Sequence, residues 1–154
     1  MGTIERANRK DASEILALQK LAYMSEAQLY NDYTIMPLNE DLSIVEQSFE
    51  KNIVLKYVED GKIVGSVRAY EKDGVCNINK LMVHPEYQNQ GIGRKLMEEI
   101  EKHFKNVSYK LFTGSRSSKN IALYEKLGYK GYKVGKIENE DTLFLFMEKS
   151  SQHV

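Results

Sequence analysis

A mixed α/β fold is predicted by three observations. Helix-periodic and strand-like stretches alternate along the chain rather than segregating. Two Asp-Gly pairs, Asp60-Gly61 and Asp73-Gly74, separate consecutive β-rich runs as hairpin turns do. The stretch "QNQGIGRKLMEEIEKHF", Gln88 to Phe104, joins a strand-like run to an amphipathic helix through two glycines.

Taken in order, "TIER" (Thr3 to Arg6) is a short opening strand. Asp11 or Ser13 is placed to cap a helix whose stripe is Ile15, Leu18, Ala22, Ser25 and Leu29. Around Pro37 the periodicity breaks, and "LSIVEQSFEK" resumes it as a shorter helix. "NIVLKYVED" and "KIVGSVRAYE" form the first hairpin, and "VCNINKLMV" follows the second Asp-Gly pair. The glycine-led helix comes next, with Ile92, Leu96, Ile100 and Phe104 spaced by four. "VSYKLFT" reads as a strand and "SKNIALYEKLG" as a helix ended by Gly128. "YKGYKVGKI" and "DTLFLFMEK" close the chain as a hairpin. The predicted order is β-α-α-β-β-β-α-β-α-β-β.

A length of 154 residues suits one domain, 1-154, with a core of its own, and no repeat or linker-like tract divides it. Lys+Arg and Asp+Glu both number 22, so bulk charge draws the chain neither to nucleic acid nor to an anionic membrane. The single cysteine, Cys76, lacks any nucleophile signature and reads as a small buried filler; one thiol fits a reducing compartment. "MGTIERANRK" has no apolar signal region, and "LFLFM" is too short to span a bilayer. A cytoplasmic protein is expected. His84, His103 and His153 show no ligand spacing, so no metal site is expected.

The glycine stretch carries the functional signal. A helix that only caps itself usually starts with Ser, Thr, Asp or Asn. Here the first amides are left open, and the positive helix end suits an anion, most often a phosphate. The plainer reading is a turn into a helix. A dinucleotide fingerprint fails, because its third glycine would fall on Leu96 and "VSYKLFT" offers no acid; no G-K-[S/T] follows for a P-loop.

A larger unit remains: the strand "NINKLMV", then His84-Pro85, then Q-x-x-G-x-G, then a helix. "LMVHPEYQNQGIGRKLM" resembles, without a gap, the signature of the GNAT superfamily of acyl-CoA-dependent N-acetyltransferases. About 25 residues on, "NIALYEKLGY" resembles that family's downstream helix. The resemblance implies a GNAT fold: a mostly antiparallel mixed sheet, splayed between its fourth and fifth strands, with helices on both faces. It implies acetyl-CoA as acyl donor and a primary amine acceptor, small molecule or peptide, attacked directly in a ternary complex. No nucleic-acid or membrane partner is implied, and the chain would act as a monomer or homodimer.

Residue by residue, the resemblance assigns the coenzyme pyrophosphate to backbone amides of Asn89, Gln90, Gly91, Ile92, Gly93 and Arg94. It assigns the pantetheine arm to free backbone groups of Leu81, Met82 and Val83, beside a bulge in their strand. Read alone, those three side chains need only be core. Tyr124 stands at the family's tyrosine position and is the expected general acid; alone, it reads as a core aromatic of an amphipathic helix. Ser117 and Asn120 stand where relatives hold pantetheine, although asparagine is the commoner residue at the first; helix-cap or surface roles remain open. Arg116 and Lys119 fit either a phosphate or solvent.

No acid stands in "NINKLMV", so a general base would come from Glu26, Asp32 or Glu71, or from a water chain. "YMSEAQLYNDYTI" includes Tyr23, Tyr30 and Tyr33 with Glu26 and Asp32, which suit either a pocket for a cationic amine or plain helix packing. Two rival readings stand beside the enzyme: a GNAT-fold domain sensing acyl-CoA without turnover, and a protein-interaction module with an incidental glycine loop.

Overall fold

The computed structural model describes residues 2–137 and 141–150. Seven strands form one sheet in the order β1-β2-β3-β4-β5-β7-β6. They are β1 (Thr3–Arg6), β2 (Ile53–Glu59), β3 (Lys62–Lys72), β4 (Val75–Val83), β5 (Ser108–Gly114), β6 (Lys130–Gly135) and β7 (Phe144–Lys149). All neighbours run antiparallel except β4 and β5, which are parallel and joined by the crossover helix α4 (Ile92–Lys102). That pairing covers only Val75↔Ser108, Cys76↔Tyr109 and Asn77↔Lys110. Beyond Asn77 and Lys110 the two strands part, and the predicted splay lies there.

A bulge in β4 accompanies the splay. The β3–β4 register runs Ser66↔Met82 and then Arg68↔Asn79, so Lys80 and Leu81 together oppose Val67 alone. Lys80 takes a left-handed conformation, φ 55°. An extra residue reverses which side chains face which side of a sheet. Cys76 and Ile78 pack towards α4, as do Leu81 and Val83 beyond the bulge, whereas Met82 joins the opposite core.

Two cores result. On one face α4 and α5 (Ser118–Lys126) cover Leu55, Val67, Ile78, Tyr109, Leu111 and Met147. At Gly65 a Cβ would come within 2.9 Å of Ile92 and 3.0 Å of Leu96, so the glycine lets α4 settle onto β3. On the other face, α1 (Ala12–Tyr30) and α3 (Leu42–Ser48) bury Ile15, Leu18 and Val45 against Val54, Ile63 and Met82.

The start of α1 differs from expectation. Asn8 caps a 3₁₀ turn at Arg9–Asp11, with the Asp11 carboxylate accepting from the Asn8 amide. Asp11 also pairs with Lys56 at 3.1 Å and makes no cap bond to α1, while Ser13 lies inside the helix. The predicted stripe holds for Ile15 and Leu18 but leaves the core after Ala22: Ser25 and Leu29 are exposed. Around Pro37 the break contains one helical turn, α2 (Met36–Asn39), because proline fits a first turn where no amide bond is needed. Among the described residues, no helix is long and apolar enough to cross a membrane.

Candidate active site

Where β4 and β5 part, a cleft of about 820 Å³ opens, within the range of small-ligand sites. One end is built by the glycine loop. After the 3₁₀ turn Pro85–Tyr87, the Gln88 side-chain amide donates to the Val83 carbonyl at 3.1 Å, tying the loop to the end of β4. Asn89 (φ 65°) and Gly91 (φ 82°) both adopt left-handed conformations, which asparagine and glycine tolerate best. Gly91 is the N-cap of α4 and provides no side-chain cap, so the first-turn amides face the cleft mouth uncapped. A Cβ at Gly91 would meet nothing within 4 Å, so the space above it is open to a ligand. Such an end fits the phosphates of a coenzyme.

Gly93 has a different packing. A Cβ there would touch Leu123 of α5 at 3.4 Å, so this glycine serves the approach of two helices. Asn89, Gly91, Ile92, Gly93 and Arg94 line the cleft, whereas Gln90 is exposed outside it. Arg94 pairs with Glu98 at 3.5 Å on the surface, a contact of little energetic weight.

Leu81, Met82 and Val83 line the next section. The Leu81 carbonyl accepts from the Tyr23 hydroxyl at 3.3 Å, so this backbone group is engaged from α1. Burial pushes the Tyr23 phenol well above its ordinary range; Arg68 opposes the shift, and Glu26 and Glu40 add to it. Beneath Tyr23, the buried Arg68 guanidinium donates to Gln19 at 2.9 Å and Ser48 at 3.1 Å, with Glu40 at 3.8 Å. Gln19, fully buried, also donates to the Pro37 carbonyl. These bonds fasten α1 and α2 over the bulged strand.

Tyr124 lies on α5 at the floor of the cleft, 7% exposed. The remaining exposure matters, because its hydroxyl makes no hydrogen bond to any described residue and a ligand can reach it. Burial raises its affinity for the proton, and the nearby Tyr23 and Glu26 raise it further. The hydroxyl stays protonated through the neutral range.

A polar chain crosses the cleft from α5 to α1. The Arg116 amide donates to the Tyr30 hydroxyl at 2.8 Å, and Ser117 Oγ donates to Glu26 at 2.7 Å. Ser117 has one proton, committed to Glu26, so the 3.1 Å contact between Tyr30 and Ser117 has Tyr30 as donor. Asn120 donates to the other Glu26 oxygen at 3.0 Å. Arg116 stacks over the Tyr30 ring at 4.6 Å and donates to the Leu29 carbonyl. Gly114 makes the arrangement possible, since any side chain there would overlap the Tyr30 hydroxyl.

Glu26, Tyr30, Ser117, Asn120 and Tyr124 are therefore brought together. Asp32, Tyr33 and Glu71 are not among the cleft-lining residues. Asp32 is spent on its own turn, binding the Thr34 amide and hydroxyl, which hold its carboxyl below the usual range. Tyr33 is half exposed, and Glu71 sits near the β3–β4 turn, opposite Cys76. Tyr23, read from the sequence as one of three candidate pocket tyrosines, lines the cleft, whereas sequence reasoning singled out neither Gln19 nor Phe112. The burial of Gln19 on a helix face otherwise apolar is the signal that a polar network lies beneath. Among the described residues, no group of three or more His, Cys, Asp or Glu side chains could hold a metal ion.

A family model for acetyltransferases, the GNAT family, matches residues 15–129, which contain the loop, the bulged strand, Glu26 and Tyr124. The chain belongs to the GNAT acetyltransferase family. The GNAT sheet is shared with the ribosomal-protein-S18-alanine N-acetyltransferase of Escherichia coli: TM-score 0.80, 18% identity, covering 100% of this chain and 96% of that one. It is shared too with the PaiA N-acetyltransferase of Thermoplasma acidophilum, solved with coenzyme A: TM-score 0.73, 19% identity, 97% and 99% coverage. The UPF0157 protein YqkA of Bacillus subtilis is 30% identical over 131 residues, 82% of this chain and 37% of YqkA. The chain thus spans little more than a third of that curated relative.

Proposed function

We propose that this GNAT protein transfers an acetyl group from acetyl-CoA to a primary amine by direct attack within the cleft. The observation that carries the reading is the alignment of three features along one gap. They are uncapped helix amides at Gly91–Arg94, open strand edges beyond Asn77 and Lys110, and a ligand-accessible hydroxyl at Tyr124. The amides fit phosphates, and the open edges fit an extended arm that hydrogen-bonds like a strand.

Acetyl-CoA supplies an activated acyl carbon as its thioester. Backbone amides near Leu81 to Val83 donate to the carbonyl oxygen as negative charge builds on it. The amine nitrogen forms the new C–N bond as the C–S bond breaks. The Tyr124 hydroxyl gives its proton to the departing sulfur, and the nitrogen gives up a proton in turn. Glu26, the one acidic side chain among the described cleft-lining residues, is the group placed to receive it, with Ser117 and Asn120 holding its two oxygens.

Release of free thiol from acetyl-CoA, followed across a panel of amines, tests the proposal. Amine-dependent thiol release supports it. Tight acetyl-CoA binding without release under any amine would replace it with the sensor reading.

A further inference from the structure

The acceptor end of the cleft has an unusual balance of charge and apolar surface. Among the described lining residues Glu26 is the only acid, against Lys80, Arg94, Arg116 and Lys119. Its carboxylate accepts from Ser117 and Asn120, which leaves lone pairs for one more donor. Arg116 stands on the same side, fixed over Tyr30. Beyond these polar partners, apolar side chains line the same cleft. Leu29 and Met36 are 48% and 43% exposed, so the α1–α2 wall leaves them uncovered. On the sheet, Phe112, 42% exposed, meets Phe144 edge-on at 5.1 Å, and Phe144 pairs with Gly114, the residue that abuts the Tyr30 hydroxyl and Ser117. All four line the cleft.

We propose that this end of the cleft binds an amine carrying one cationic nitrogen on an apolar or aromatic body. The ammonium meets Glu26, and the body lies between Leu29 and Met36 on one side and Phe112 and Phe144 on the other. This rests on the acetyltransferase reading and names the acceptor class for the same site. A polyamine whose first ammonium meets Glu26 brings its second towards Arg116, in a partly desolvated setting where like charges repel strongly. An aromatic body, by contrast, gains both area and ring contact with the two phenylalanines. A free apolar amine and the N-terminus of a peptide beginning with an apolar residue share this chemistry.

The test is calorimetric titration of the protein saturated with coenzyme A, so that binding is read without turnover. The probes are 2-phenylethylamine, phenylalanyl-alanine amide and spermidine. At least one of the two aromatic monocations is expected to bind about tenfold or more tightly than spermidine, the scale on which pocket contacts discriminate. The tighter of the two identifies a free amine or a peptide N-terminus as the source. Phe112→Ser and Leu29→Ser, each verified as folded by circular dichroism, are expected to weaken the aromatic probes several-fold and leave spermidine unchanged. Spermidine binding as tightly as both aromatic probes, or aromatic affinity unaltered in both variants, overturns the assignment. Thiol release is measured separately: aromatic binding without release leaves this assignment standing and removes the catalytic reading, whereas release with spermidine favoured does the reverse.

Discussion

A phenol near pKa 10 giving its proton to a thiolate near 8.5 works uphill by ~2 kcal/mol, and burial makes Tyr124 a weaker acid still. In the proposed mechanism the transfer is therefore coupled to proton loss from the attacking nitrogen, which becomes strongly acidic as the C–N bond forms. Removing the hydroxyl in Tyr124→Phe is expected to lower kcat by ~10²–10⁴ while the acetyl-CoA dissociation constant stays near its original value. Unchanged kcat in a folded variant would make Tyr124 a packing residue. The raised proton affinity also fixes a sign: the acid form persists as pH rises, so kcat should show no descending limb below about pH 10. Tyr124 was legible in the sequence through its motif. The bond from Tyr23 to the Leu81 carbonyl was not, because the two stand 58 residues apart.

Among the elements, α4 and the bulged β4 decide the site. The period of four through Ile92, Leu96 and Ile100 made α4 legible, and all three are buried as that spacing requires. The bulge was carried by resemblance alone; nothing in "NINKLMV" marks Lys80 as the residue with positive φ. The overrun of the α1 stripe has a physical cause as well: past Ala22 the helix overhangs the cleft, so periodicity no longer reports burial. Replacing the N-cap in Gly91→Asp places a carboxylate among the amides of the first turn. A left-handed φ of 82° costs a side-chain-bearing residue ~1–2 kcal/mol, offset in part by capping. The variant should fold, and calorimetry should find acetyl-CoA affinity lost. Retained affinity would make the loop a structural turn.

At the scale of the whole molecule, the core is guarded by protonated acids. Burial holds Tyr23, Tyr109, Tyr124 and Tyr129 above the ordinary phenol range, with the Glu101 carboxylate adding to the shift at Tyr109 and Tyr129. The Cys76 thiol is pushed up to about 12, again chiefly by burial. Raised folded-state values mean that the unfolded chain loses these protons first. Their stabilising effect is complete below the unfolded pKa values and is lost as pH rises through the folded ones. The melting temperature should therefore begin to fall above about pH 8.5 and fall more steeply above about 10. A melting temperature constant across that range would contradict the burial of these groups. The short β4–β5 pairing has a consequence of another kind. A slot walled by main chain offers the same donors and acceptors whatever side chains are attached, so substitution can erode the text of β4 and β5 without removing those groups. Chains that align at 18–19% identity can then keep one sheet while little of their spelling survives.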